Sequence, residues 1–423
     1  ANTKPRSKAA AMSVSPSANP VFPKEVAKAI VQKIQKYVVK DVRNSRILNC
    51  EWNEKDNIFG LPGKTNLQFG ELLGSGGFCD VYAIRSLKKT QSVSRKWAPI
   101  PRKTHKEDAL DRSGKPKYAI KQLRLSSMRS PKRFCGAATD LVLEAHFLRS
   151  LDHENIISIR GWSPGGVKSY LDGRHDSYFI ILDRLHDTLD KRIEKLKQVE
   201  KLRMLNAECH NNVDDWQMTN RLISRTVIVR QVASALQYLH SKHIIFRDLK
   251  ASNVGFDASG NAKLFDFGLC RELPEECVNV NDEYKMSGKV GTLRYMAPEV
   301  ILFCNYNQKV DTYSWAMLYW QCLTLTKPYE GMDENTHLTN VCRLAKRPPM
   351  KKEWPESIRY LLKKSWEHDP HNRLTMLEAR ALVERAETEL RGKLKLLSKK
   401  VKLSRSPVTR MPFVQHRSST LVQ

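Results

Sequence analysis

The chain changes its period near Leu189. Ahead of that point lie short β-type runs, each bounded by Gly, Pro or charge: LQFGELLGSG (67–76), CDVYAIRS (79–86), KYAIKQLRL (117–125), NIISIRGW (155–162) and YFIILDRL (178–185). One helical stretch interrupts them, TDLVLEAHFLRSL (139–151), with Leu141, Ala145, Leu148 and Leu151 on its apolar side. Beyond Leu189 the pattern is helical: DKRIEKLKQVEKLRML (190–205), a polar break AECHNNVDD (207–215), then RTVIVRQVASALQYLHS (225–241). The most apolar run, AMLYWQCLTL from Ala316 to Leu325, is too short to span a bilayer and is expected as a helix buried on all sides. Strands first and helices second imply an α+β chain, with a small β-rich lobe, a larger helical lobe and a cleft between them.

Composition limits what such a chain can do. Of 423 residues 41% are hydrophobic and 28% charged, so a sizeable core is expected rather than disorder throughout. A formal charge of +27 points to anionic partners: nucleotide, nucleic acid, acidic protein or membrane surface. The 9 cysteines include no C-x-x-C pair and their number is odd, which argues against a disulfide framework or a structural zinc site and for a reducing, cytoplasmic setting.

Three segments flank or interrupt the main domain. Residues 1–66 form a basic arm whose opening, ANTKPRSKAAAMSVSPSANP, is read as disordered, with a transit peptide as the alternative. The arm carries one amphipathic helix with Val26, Ile30, Ile34, Tyr37 and Val38 on one side. That helix is expected against the small lobe, where it bears on Glu144. The stretch Lys88 to Lys117 is basic and Pro-containing and reads as a solvated insertion in a hairpin. The tail, 391–423, is basic and Ser-rich, partly helical at first, and its KLLSKKVKLSR is compatible with a nuclear import signal. The main domain is expected over 67–390, with its small lobe at about 67–185 and its large lobe at about 186–390.

Chemistry concentrates in a few motifs. ELLGSGGFCDVY sets Gly74, Gly76 and Gly77 between two strands, where absent side chains let backbone N–H groups approach phosphate. The second strand argues against a dinucleotide fold, which would need a helix there. Lys121 sits mid-strand among apolar residues and needs an anionic partner, for which Glu144 on the following helix is the candidate. In IIFRDLKASNVGF, Asp248 precedes Lys250 and Asn253, and LFDFGL adds Asp266. Two carboxylates and an amide among apolar residues are what a magnesium-nucleotide site uses. Turn-forming Asp and Asn bonding to local backbone explain either motif taken alone.

Together, G-x-G-x-F-x-x-V (Gly74 to Val81), Y-A-I-K (Tyr118 to Lys121), R-D-L-K-x-x-N (Arg247 to Asn253), D-F-G (Asp266 to Gly268) and A-P-E (Ala297 to Glu299) resemble the signature set of eukaryotic protein kinases. Gly291-Thr292, Asp311 and Arg373 add to the likeness, and SWEHDPHNRLT looks most like the tyrosine-kinase-like group of serine/threonine kinases. The resemblance implies a bilobal protein-kinase-like fold that uses ATP and Mg²⁺ and phosphorylates Ser/Thr hydroxyls of protein substrates. It implies a nucleotide site bounded by Gly74, Ser75, Gly76, Gly77, Phe78, Val81, Ala119 and Lys121, with Leu182, Asp183 and Leu185 at the hinge. In the same way Glu144 would orient Lys121, Asn253 and Asp266 would hold the metal, Asp248 would act as base, and Lys250 would touch the γ-phosphate.

The chain departs from the family pattern at Cys79, where a third glycine is usual, and at Phe246, where a histidine is usual. Cys79 is read as an inert thiol and Phe246 as a ring that packs under Phe267. Arg247 beside Asp248 implies an activation segment ordered by phosphate and an upstream activating kinase, with Ser287 the first candidate ahead of Tyr284 and Thr292. Two alternatives remain at this level: a nucleotide-binding scaffold without catalysis, and a signalling protein whose basic segments bind nucleic acid or an anionic membrane.

Overall fold

The computed structural model describes residues 21–43, 45, 48, 67–87, 110–111, 114–206, 215–276 and 282–404. The opening of the arm, most of the basic insertion and the end of the tail therefore lie outside the described residues. So does the polar break at 207–214.

The chain enters through helix α1 (Lys24–Arg43) and then forms β1 (Leu67–Ser75), β2 (Cys79–Leu87) and β3 (Tyr118–Leu123). Helix α2 (Pro131–Arg149), β4 (Ile159–Trp162) and β5 (Phe179–Asp183) complete the small lobe. Its sheet has five antiparallel strands in the order β1-β2-β3-β5-β4. Period-2 alternation separates the two faces. Ile120, Ile181, Phe179 and Ile84 form a small core on one side, whereas Leu123, Ile180 and Leu182 join the main core with α2 on the other.

Helix α2 begins eight residues ahead of the apolar stretch that marks it in the sequence. Ser130 caps it by accepting from Arg133 N at 3.2 Å, and Pro131 occupies the first turn, where a missing N–H costs nothing. At the other end β4 covers only half of NIISIRGW, because the Ile157 N–H donates to Leu264 O at 2.9 Å in the large lobe instead of to the sheet.

The large lobe follows: β6 (Asp187–Thr188), α3 (Leu189–Asn206), α4 (Asp215–Ser241), β7 (Ile244–Ile245), β8 (Val254–Phe256), β9 (Ala262–Leu264) and β10 (Arg271–Glu272). Helices α5 (Pro298–Ile301), α6 (Lys309–Thr324), α7 (Glu334–His337), α8 (Glu356–Ser365) and α9 (Met376–Ser404) complete it. Every residue of α6 from Val310 to Leu323 is buried, so a helix apolar on all sides has a protein partner on all sides. Trp315 Nε1 donates to Val229 O of α4 at 2.8 Å, and Arg230 of α4 pairs with Glu387 of α9 at 2.7 Å. This packed frame fixes the loops that lead from β7 to β8 and from β9 to β10. Among the described residues no helix is long and apolar enough to cross a membrane.

Candidate active site

The site lies where β3, α2 and the loops after β7 and β9 meet. Lys121 pairs in register with Val81 on one side and Ile180 on the other, which aims its side chain away from the Ile120 face and toward α2. Its ammonium donates to Glu144 Oε2 at 2.6 Å and to Asp266 Oδ1 at 2.8 Å. Burial opposes the charge on Lys121, but the carboxylates of Asp266 and Glu144 outweigh it and hold the ammonium well above its usual range. Lys121 in turn holds the Asp266 carboxyl below the ordinary carboxylate range, while burial raises that of Glu144. The sequence pairing of Lys121 with Glu144 is therefore present, and Asp266 joins it from 145 residues away.

Asp266 adopts left-handed backbone, φ 69°, as does Arg247, φ 68°. Non-glycine residues there cost about 1–2 kcal/mol each, which the surrounding packing must offset, and such strain clusters at functional sites. The offset at Arg247 is visible. Asp311, fully buried at the start of α6, accepts from Phe246 N at 2.8 Å, Arg247 N at 2.9 Å and His240 Nε2 at 2.9 Å. Phe246 meets Phe267 edge to face at 5.2 Å. A ring at this position thus joins the turn before Asp248 to the one after Asp266.

A second polar network surrounds Asp248. Lys250 Nζ donates to its Oδ2 at 2.7 Å, Thr292 Oγ1 to its Oδ1 at 2.8 Å, and Asn253 Nδ2 to its carbonyl at 2.9 Å. Lys250 also reaches Thr292 at 3.1 Å. Gly291 makes this closeness possible: at φ 105°, an added Cβ would lie 2.5 Å from Arg247 O. Downstream, Glu299 accepts from Arg373 Nη1 at 2.6 Å, and the Arg373 side chain is wholly buried.

The donor set suits a magnesium nucleotide. Asp266 leaves 47% of its side chain open to the cleft, and Asn253 spends its amide nitrogen on Asp248, so its oxygen is the end available to a cation. Mg²⁺ needs few protein ligands because phosphate and water complete its octahedron. Among the described residues no group of three His, Cys, Asp or Glu gathers into a protein-only metal centre. In the β1–β2 hairpin, a Cβ added at Gly74 or Gly77 would meet nothing within 4 Å. Internal packing therefore does not demand these glycines, whereas an approaching phosphate would. Ser75 bonds Asp80 across the hairpin, Phe78 lies under the Arg133 guanidinium at 5.0 Å, and Gly76 N donates to Cys79 O at 2.8 Å.

Ala119 pairs with Leu182 at the roof of the cleft. At the hinge, Asp183 is engaged by both nitrogens of Arg160 at 2.7 Å, and among the described residues none accepts from the Leu185 N–H. That leaves one backbone donor for a base. The Cys79 thiol is pushed up to about 12, chiefly by burial, which matches an inert cysteine.

Two participants escape sequence reading. His240 buttresses Asp311 across 71 residues. Asp140, one turn ahead of Glu144, has its carboxyl raised to about 6, chiefly by burial, with Arg271 working the other way. A Cβ added at Gly268 would lie 3.5 Å from the Asp140 Cβ. A helical wheel places Asp140 beside Glu144, but nothing local reveals what faces it.

The profile of the protein kinase domain matches residues 107–383. That span begins after the glycine-rich hairpin, which is nonetheless paired in register with β3. The chain is 30% identical over 204 residues to the RGS domain-containing serine/threonine-protein kinase A of Dictyostelium discoideum, covering 47% of this chain and 17% of that protein. It is 35% identical over 142 residues to mitogen-activated protein kinase kinase kinase 13-B of Xenopus laevis, covering 34% and 14%. With the dual serine/threonine and tyrosine protein kinase of Bos taurus it shares 28% over 244 residues, covering 55% and 22%. The matched region thus spans less than a quarter of each of these curated relatives.

Proposed function

The chain belongs to the protein kinase family, and on that premise we propose that it transfers the γ-phosphoryl group of ATP to serine or threonine hydroxyls of protein substrates. The observation that carries this reading is the joint closure of two networks, Lys121 with Glu144 and Asp266, and Asp248 with Lys250, Thr292 and Asn253.

Phosphoryl transfer asks for positioning and charge neutralisation more than covalent chemistry. Lys121, held rigid by its two carboxylates, offers its ammonium to the α- and β-phosphates. The hairpin from Gly74 to Phe78 covers the phosphates, its Gly76 N–H being kept by Cys79 O, with Val81 and Ala119 against the base and Leu182, Asp183 and Leu185 along the hinge. Asp266 and Asn253 would hold Mg²⁺, which would supply the neutralising charge. Asp248 orients the acceptor hydroxyl and takes its proton, while Lys250 moves from Asp248 to the transferring group. The serine/threonine names of the relatives support that acceptor class.

Replacing Lys121 with Met should lower transfer from labelled ATP by on the order of a hundredfold or more with the fold intact. Undiminished transfer would refute the assignment.

Regulation falls to Ser287. Arg247 Nη1 already donates to its Oγ at 2.9 Å, and Tyr306 OH donates to its carbonyl at 2.8 Å. A phosphate there would gain a charge-assisted, two-pronged bond. Thr292 is occupied with Asp248 and Lys250, which leaves Ser287 the better acceptor for an upstream kinase. Phosphatase treatment should reduce activity to that of Ser287→Ala; equal activity before and after treatment would remove Ser287 from the account.

A further inference from the structure

We propose that residues 22–43, with Ser45 and Leu48, form a built-in clasp that holds α2 where Glu144 meets Lys121, so that the kinase carries its own positioning element for this ion pair. The inference rests on the functional reading above, because its consequence for catalysis runs through Glu144.

Helix α2 has eight consecutive buried residues, Leu141 to Leu148. A helix covered on every side needs a neighbour on every side. The sheet and the Phe267 turn cover the side that bears Glu144, and α1 covers the outer side. Ala27, Ile30, Val31, Ile34 and Val38 of α1 are each at most 6% exposed, and the last four share a core with the α2 residues Phe134, Ala138 and Val142. Lys24, Lys28 and Lys36 lie on the opposite, exposed face. Without α1, that outer face of α2 would be an open apolar patch.

Both ends of the segment are fastened. At the start, Phe22 meets Phe134 edge to face at 5.3 Å, and Phe134 meets Tyr170 at 5.1 Å. Phe22 N donates to Gly173 O at 3.0 Å. Gly173 has φ 76°, and a Cβ there would lie 2.4 Å from Phe22 O, so this joint is built for a bare backbone. At the far end, Ser45 Oγ donates to Glu272 of β10, and Leu48 N donates to Ser45 Oγ at 2.6 Å. Glu272 pairs with Ile244 of β7, three residues ahead of Arg247. One segment therefore joins the helix that carries Glu144 to the strand pair that leads into Asp248 and out of Asp266.

The test uses the full chain with Ile34→Asp, which places a carboxylate at a fully buried position, and Val38→Ala as a milder companion. Lys28→Ala on the exposed face is the control. Backbone hydrogen exchange should rise at least about tenfold across 131–149 while α6 and α8 keep wild-type protection. Turnover should fall by about tenfold or more. Lys28→Ala should match wild type in both. Unchanged exchange in α2 would overturn the inference. So would loss of protection in α6 and α8 together with α2 in both variants, since the segment would then be a general part of the core. If wild type transfers no phosphate but α2 still loosens selectively, the clasp stands and the kinase activity falls.

Discussion

At the scale of single residues, environment decides what a reactive group can do. Cys79 lies near Lys121 at the start of β2, yet a thiol pushed to about 12 is almost never thiolate at neutral pH. Alkylation of Cys79 by iodoacetamide should lag the exposed Cys304 by about a thousandfold. Comparable rates would contradict the burial argument. His337 gives a pH signature. Its ring is lowered to about 4, first by burial and then by Arg294 and Arg347, and neither ring nitrogen has a hydrogen-bond partner among the described residues. The unfolded state then binds a proton that the folded state refuses, so this contribution is whole above about pH 6.5 and fades as pH falls toward 4. His337→Phe keeps the edge contact with Tyr329 and removes the titration. Thermal unfolding at pH 5 should show it about 2 kcal/mol more stable relative to wild type than at pH 7.5; an equal difference at both pH values would refute this. Lys121 was legible because a lysine amid an apolar strand demands a counter-charge. Its second partner, Asp266, and the carboxyl of Asp140 were not, because burial by distant segments leaves no local trace.

At the scale of elements, the loops that do chemistry are held by helices that do none. Asp311 begins α6 and receives three donors from the end of α4 and the turn before Asp248. An amide cannot accept from all three, so Asp311→Asn turns at least one donor away. Turnover should fall by about tenfold to a hundredfold with nucleotide affinity within a few fold of wild type, measured by steady-state kinetics beside equilibrium ATP binding. Full turnover would mean that the catalytic loop needs no such support. The burial of α6 on all sides was readable from its unbroken apolar run. The start of α2 was not, since Pro131 to Ala138 carry little apolar period and the helix is set by the Ser130 cap and by α1 lying across it. The roles of Gly74 to Val81 were readable only as motif. The open space beside Gly74 and Gly77 shows that packing does not demand glycine at those two positions.

At the scale of the molecule, the two lobes depend on a few buried charges that close long loops. Arg373 and Glu299 join the A-P-E motif to the helices near the end of the domain. Glu299→Ala would strand a guanidinium that is 0% exposed, at a cost of about 3 kcal/mol, moderated by its remaining bonds to Glu367 O and Lys309 O. Calorimetry should record a melting point lower by several degrees, and an unchanged one would show that the carbonyls suffice. The order of strands then helices made the two-lobed plan legible, because each lobe is nearly continuous in sequence. The tie from Ser45, just past α1, to the large lobe was not, since Ser45 and Glu272 are 227 residues apart. The central claim is that Asp248, framed by Lys250, Thr292 and Asn253, directs phosphoryl transfer to an alcohol. The most direct measurement is transfer from γ-labelled Mg-ATP to a generic protein substrate by wild type and Asp248→Asn, followed by acid hydrolysis of the product. The account predicts phosphoserine or phosphothreonine from wild type and at least about a hundredfold less from the variant. Equal labelling by both proteins, or label on tyrosine alone, would contradict it.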